Sequence, residues 1–471
     1  MEYKSDFVES NDVLFNNYYL MLFCSSFVFI FYTIFQSIFS TLPKKDLSKV
    51  SNPSFVNRVA VIVPCHNSQD VIESTIEALL VHFPGEAIYI AENSNTMEPK
   101  SNETVNICRS RGVNYNYYSK PSKTHALLQT SKQLPVKYDY IFTIDDDTIV
   151  SKDFVFTDEL FKEDSNVITV GYTIKMKDTN TIQEKCANVD YIYNSTNDYY
   201  RNTSTPMFVV GIAGMWLRDK FEEVYSKNPS LNTYPYGEDS WNGIITRMNG
   251  YRIKYDISNE VYSYAPDRFF FSINELLCSG ESISGYGATN MWKQRALRWY
   301  RSIILRIPYE IFIFIVYNCS NKNDPIYKRV FSNIIYRMDY IYSLLLIYFS
   351  TTLPIFLLFN SEEVGLYAFI KIRVMLYFIT IINIILKNAI IFRNRPDLRV
   401  SEWKVILFYP LFSFFNNLMR TAGIIGSLLF YIPMYFTPFA TINIFSKIKT
   451  SRSRVNQHVD FFKNKHCVIE V

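Results

Sequence analysis

The sequence predicts an α/β domain with a mostly parallel sheet, set between apolar membrane segments. Three observations predict it. Strand and helix signals alternate over residues 58–145, the stretch Leu14–Phe39 carries no charge, and residues 303–445 are crowded with apolar and aromatic side chains. The chain has 471 residues, 48 Lys+Arg against 44 Asp+Glu, a net charge of +4 and 48% hydrophobic residues. That length admits two or three domains. With 36 Tyr and 38 Phe but only 14 Gly, it is not a disordered, collagen-like or low-complexity chain. The charge is too weak to call for nucleic acid as a partner. Seven scattered Cys without a C-x-x-C pair exclude a disulfide framework or zinc site and suit a reducing compartment.

Arg58–Pro64 (RVAVIVP) is a continuous β-branched run, as in a buried parallel strand. Asp70–His82 follows with Val71, Ile72, Ile76, Leu79 and Leu80 at helical spacing. Ala87–Ala91 and Val113–Tyr118 read as strands, Thr124–Leu134 as a helix and Tyr138–Ile144 as the next strand. Such alternation gives a sheet covered by helices, with ligands at the carboxyl ends of its strands. No G-x-G-x-x-G follows the first strand and no G-K-[ST] occurs, so neither dinucleotide nor P-loop binding is signalled.

A membrane-spanning helix needs about 20 apolar residues. Leu14–Phe39 exceeds this, and its acidic start (MEYKSDFVESND) favours an anchor over a cleaved signal peptide. Lys44, Lys45, Lys49 and Arg58 then place the N-terminus outside and the following domain in the cytosol. Ile303–Tyr317, flanked by Arg301 and containing Arg306, reads as an interfacial helix. Met338–Phe359 and Val374–Phe392 are candidate spans, with Lys387 snorkelling and Arg393, Arg395, Arg399 and Lys404 in a cytosolic loop. Val405–Phe445 is either two tight helices or an interfacial helix plus a re-entrant one. The predicted organisation is an N-terminal tail and transmembrane helix (1–42), a cytosolic domain (43–268), a gating and interfacial region (269–335), a C-terminal transmembrane region (336–445) and a basic cytosolic tail (446–471). The protein is thus expected to be a multi-pass membrane protein with lipids as partners. N-x-[ST] sequons at Asn102, Asn194, Asn202 and Asn318 are expected to be unused.

Four charged signals carry chemistry. Strand Tyr138–Ile144 runs into Asp145-Asp146-Asp147, whose mutual repulsion a divalent cation relieves. Alternation sends Asp145 and Asp147 to one side; the plainer reading is an acidic turn. Gly237-Glu238-Asp239 offers a general base, or simply acids in a first helical turn. Lys123 sits at a helix start, where a phosphate meets dipole and ammonium together, although such a lysine is commonly solvated surface. Arg295, Arg298 and Trp299 offer charge for a diphosphate and a flat face for a sugar, or an anchor at the headgroups.

In their order, VAVIVPCHN, KTHAL, IDDDT, GIAGMWLRD, GED and RALRW resemble the membrane-embedded polysaccharide synthases of glycosyltransferase family 2, which include hyaluronan, chitin and cellulose synthases. The resemblance spans Arg58 to Trp299. It implies a GT-A nucleotide-sugar-binding domain inserted between an N-terminal transmembrane helix and a C-terminal bundle of transmembrane and interfacial helices. It implies that Asp145 and Asp147 form the D-x-D for UDP and its Mg2+ or Mn2+, with Asp147 on the metal. Lys123 would contact the diphosphate; Gly214, Trp216, Arg218 and Glu238 would lie by the acceptor; Asp239 would be the base. Arg295, Arg298 and Trp299 would close over the nucleotide. Where the family has an Asp ending its second strand, this chain has Glu92-Asn93. Arg295 stands where the closing Q-x-x-R-W has Gln, with Gln294 one residue early, a feature shared with ceramide glucosyltransferase. Residues 267–293 form an insertion expected to act as a gate. The implied activity is inverting transfer from a UDP-sugar to a carbohydrate acceptor, giving a hyaluronan- or chitin-like β-linked polymer and translocating it. The alternatives are transfer of one sugar to a lipid, or a non-catalytic polytopic protein.

Overall fold

The computed structural model describes residues 42–436, except 47, 95, 100, 232–236, 267–268, 270–289, 301–302, 317–324, 328, 331, 335, 339–340 and 342–361. It divides into two units: Asp46–Ile347 with Asn416–Val471, and Met1–Lys45 with Tyr348–Phe415.

In the first unit, α1 (Pro53–Val56) leads into β1 (Val59–Cys65), every residue of which is buried. The β-branched run suits a strand covered on both faces. α2 (Ile72–Leu80) buries Ile72, Ile76 and Leu79, the apolar face expected from their spacing. β2 (Ile88–Asn93), α3 (Glu103–Arg111), β3 (Asn114–Tyr118), α4 (Lys123–Gln133) and β4 (Tyr140–Ile144) follow. Strands β3, β2, β1 and β4 pair in that order, all parallel. Sequence order reverses between β1 and β4, the kind of switch point where open α/β sheets bind ligands.

Beyond β4 the sheet changes character. β5 (Ile149–Val150), α5 (Glu159–Glu163), β6 (Val167–Met176), α6 (Ile182–Tyr200), β7 (Ala213–Leu217), α7 (Arg218–Ser226), α8 (Glu238–Met248) and β8 (Arg252–Ser263) complete an eight-stranded sheet of order β3-β2-β1-β4-β7-β6-β8-β5. β7 runs antiparallel to both β4 and β6, while β6 and β8 are parallel. Thus Ala213 lies beside Ile144 and Leu217 beside Tyr140. α6 begins with a capping box, Thr181 accepting from Glu184 N while the Glu184 carboxylate returns to the cap. Phe83, Phe142, Phe154, Phe156 and Tyr172 interlock edge-on beneath β4. Cys65, Cys108 and Cys186 are buried free thiols.

Later come a π-helical turn, Lys293–Trp299, and α9 (Ile303–Val316). In the second unit, α10 (Glu362–Ala389) contains most of Arg373–Asn394, the one described stretch long and apolar enough to cross a membrane, with mean hydropathy 2.0. Its Val374, Phe378, Ile382 and Ile385 are exposed. Asn388 bonds to both backbone groups of Val400, and Arg395 pairs with Asp397, which folds the connection after α10. α11 (Trp403–Phe436) is one helix of 34 residues, where two pieces were expected. The units divide within it, between Phe415 and Asn416. Its interior has no turn pair; Gly423 instead serves packing, since a Cβ there would meet Ala296 O at 2.7 Å. The anchor Leu14–Phe39, nearly all of Met338–Phe359 and residues 437–445 lie outside the described residues.

Candidate active site

The carboxyl ends of β1 and β4 open on a cleft lined by Lys123, Thr143, Asp145, Val210, Gly211, Trp216, Tyr225, Glu238, Asp239 and Asn242. The charged side chains arrive on three segments. β4 delivers Asp145, whose N–H donates to Ile212 O at 2.9 Å. Ser122 caps α4 by accepting from His125 N, which sets Lys123 at the first helical position. α8 begins after Gly237, which has φ of 76°, a left-handed turn that glycine supplies at little cost. That turn brings Glu238 and Asp239 to the cleft together.

Lys123 Nζ joins the segments. It lies 2.5 Å from Asp145 Oδ1 and 3.3 Å from Glu238 Oε1, and donates to Gly211 O at 3.1 Å. Gly211 is their meeting point: a Cβ there would lie 3.3 Å from Glu238 Oε1, 3.5 Å from Asp239 Cβ and 3.6 Å from Lys123 Nζ. Burial disfavours the charge on Lys123, but Asp145 and Glu238 outweigh it and hold the ammonium charged above its ordinary range. Burial pushes Asp145 up to about 6 against the pull of Lys123. Asp239 is likewise raised, by burial and then by Glu238, while Arg306 of α9 opposes both. Its Oδ1 accepts from Ser240 N at 2.7 Å. A carboxylate held above its usual value is better matched to taking a proton near neutral pH.

Asp146 and Asp147 continue from β4. Asp146 accepts from Ser68 Oγ, and its carbonyl accepts from Thr75 Oγ1 at 2.8 Å. Asp147 is 2% exposed and is raised well above the carboxylate range by burial and the charges of Asp146 and Asp145. That clustering of hard oxygen donors fits Mg2+ or Mn2+. Among the described residues no group of three His, Cys, Asp or Glu side chains forms a ready-made cage. Mg2+ bound alongside a phosphate substrate commonly takes one or two carboxylates and completes its shell from phosphate oxygens and water.

At the end of β2, Glu92 accepts from Tyr115 OH at 2.7 Å and is raised by burial, while Asn93 donates to Cys65 O at 3.0 Å. His66 Nδ1 meets Asn93 O. Both expected donor contacts are therefore tied into the sheet ends flanking the switch point. Trp216 lines the cleft, and Gly214 allows its close packing, since a Cβ would meet Trp216 Nε1 at 3.2 Å. Arg218 is not brought there. Antiparallel β7 carries it to the opposite end of β4, where its guanidinium donates to the carbonyls of Ser131, Leu134, Pro135 and Tyr138.

Arg295 is buried and pairs with Asp190 of α6 at 2.9 Å, with its guanidinium 5.5 Å from the Trp299 ring centroid. Trp299 meets Tyr191 edge-on. Gln294 is 1% exposed with both amide atoms unpartnered. Because this turn is π-helical, Gln294 and Trp299, five residues apart, stand one turn apart. The side chain of Arg298 and most of the insertion 267–293 lie outside the described residues. Sequence reasoning named Gly211 only as the start of GIAGMWLRD, and it missed Tyr225, Asn242 and Asp190 as site neighbours. Only long-range packing assembles the last three, so local sequence gives no signal for them.

An open α/β sheet with an acidic, lysine-bearing cleft at its switch point defines a ligand-binding α/β domain. Residues 57–278, just under half of the chain, match the family model described as glycosyltransferase like family 2. The mannosyltransferase PcManGT from Pyrobaculum calidifontis, solved with GDP-Man and Mn2+, is similar at TM-score 0.47 and 12% identity, covering 87% of this chain and 96% of its own. TarS residues 1–349 from S. aureus, solved with UDP, has TM-score 0.34 and 13% identity, covering 78% and 90%. A search of curated proteins gave no match.

Proposed function

We propose that the protein is a membrane-embedded, inverting, metal-dependent glycosyltransferase that takes a UDP-sugar from the cytosol and builds and translocates a β-linked, hyaluronan- or chitin-like polysaccharide. The observation that carries this reading is the convergence of Lys123, Asp145, Glu238 and Asp239 on one cleft around Gly211. Asp145 and Asp147 would hold the cation, which supplies Lewis-acid stabilisation of phosphate charge when bound. Lys123 adds an ammonium for the diphosphate, and Trp216 gives the acceptor an apolar wall. Asp239 takes the proton from the acceptor hydroxyl as that oxygen bonds to the anomeric carbon. The bond from that carbon to the diphosphate oxygen breaks, and its electron pair leaves with UDP. The catalytic domain lies in the cytosol, with the N-terminus outside.

Purified protein incubated with a panel of UDP-sugars and Mn2+, with UDP release followed, tests the reading. One or more sugars should be consumed. General-base catalysis is worth about 10²–10⁴-fold, so Asp239→Asn should lose that much turnover while UDP still binds. Wild-type turnover in Asp239→Asn would remove the base assignment. The radiolabelled product separates long polymer from organic-soluble glycolipid, the outcome expected if one sugar passes to a lipid.

A further inference from the structure

A run of buried polar side chains joins α4 to α8. Thr124, beside Lys123, meets Ser230 Oγ through its Oγ1 at 2.6 Å. Ser230 gives both its N–H and its hydroxyl hydrogen to Asn228 Oδ1, at 2.9 and 2.7 Å. Asn228 Nδ2 then donates to Glu238 O at 2.9 Å and to Asn242 Oδ1 at 2.7 Å. All four side chains are buried, and Asn242 is only 3% exposed.

This run has a fixed direction. A backbone N–H can only donate, so Ser230 fixes the oxygen end of the Asn228 amide, and the nitrogen end must face Asn242. Turning the Asn242 amide over would set two NH2 groups against each other, so Asn242 presents Oδ1 to Asn228. Among the described residues this is the only hydrogen bond of the Asn242 side chain, and the donors of its Nδ2 are left unused. Asn242 also lines the cleft, one turn after Asp239 and hence on the same face of α8. A buried amide with unused donors costs free energy until something accepts from it.

Resting on the assignment of Asp239 as base, we propose that Asn242 binds the acceptor, its Nδ2 donating to a hydroxyl oxygen of the acceptor sugar beside the hydroxyl that gives its proton to Asp239. Carbohydrate suits this pair because adjacent hydroxyls supply, side by side, the proton a carboxylate takes and the lone pair an amide needs. Asn228 is a positioning residue. It touches no substrate, holds the Asn242 amide by its oxygen and ties the first turn of α8 through Glu238 O.

The test uses the full chain with Mn2+ and whichever UDP-sugar of the panel wild type consumes, titrating the matching free monosaccharide as acceptor. Acceptor KM, donor KM and kcat are measured on the pH plateau of wild type, Asn242→Asp and Asn242→Leu. Asn242→Asp carries the comparison: its carboxylate still accepts from Asn228, so the buried run survives, but it has no N–H for the sugar. Loss of one hydrogen bond should raise acceptor KM about two- to tenfold in both variants, the effect falling there rather than on donor KM or kcat. Wild-type acceptor KM in Asn242→Asp would mean that Asn242 serves only the buried run, and overturns the proposal. A fall in kcat alongside a raised donor KM overturns it too, because that pattern reports a displaced α8. If Asn242→Leu does not fold, Asn242→Asp decides alone. A UDP-sugar consumed without saturable response to free sugar defeats the choice of a carbohydrate acceptor. If wild type consumes no UDP-sugar, or Asp239→Asn turns over like wild type, the underlying reading of the site fails instead, and the proposal with it.

Discussion

Asp145 makes the cleft a source of pH-dependent stability. Its folded value of about 6 lies above the ordinary 3.8, so the folded chain holds a proton that the unfolded chain releases. The contribution of Asp145 is fully present below about 4 and is lost as pH rises through about 6. Melting temperature measured against pH without added cation should show this decline, and Asp145→Asn should make it shallower, the remainder coming from the raised Asp147, Asp239 and Glu92. Asp145 and Lys123 were legible because each sits at the end of a strongly signalled element, a buried strand and a capped helix. The true surroundings of Arg218 were not. Its carbonyl partners lie at 131–138, brought near only by the direction of β7, which no local pattern encodes.

Helix α8 is where packing and chemistry meet. Gly243 lies against the chain at 207–208, and a Cβ there would come 2.1 Å from Met207 O. The obstacle is backbone, so Gly243→Ala must displace the helix. We expect a loss of about 1–3 kcal/mol in denaturant unfolding and a fall in transfer, because Asp239 moves with it. Arg247→Ala should cost more, about 3–5 kcal/mol, since it removes a fully buried guanidinium that pairs with the part-buried carboxylate of Glu310 at 2.8 Å. The start of α8 was readable in Gly-Glu-Asp. Thr181-x-x-Glu184 is an equally explicit start signal for α6, which went unread. β6 and β8 are strands whose identity rests on pairing with each other, so apolar alternation alone understates them.

At the scale of the molecule, the parallel half of the sheet followed from alternation of strand and helix, and the antiparallel half did not. β7 enters between β4 and β6 against the direction of β4, a choice made by long-range pairing. The continuity of α11 was equally hidden, because an apolar run states burial and leaves the number of helices open. If the domain faces the cytosol, protease added outside sealed, right-side-out vesicles should leave residues 43–335 intact. Digestion of that region in such vesicles would reverse the proposed orientation.

Asn202 bears on any attempt to read that orientation from attached sugars. Its amide donates to Tyr255 O and accepts from Tyr255 N, both at 2.7 Å. A carbohydrate on that nitrogen would have to tear the side chain from β8, so a bare Asn202 is compatible with either side of the bilayer. The exposed amide of Asn194 is the informative reporter.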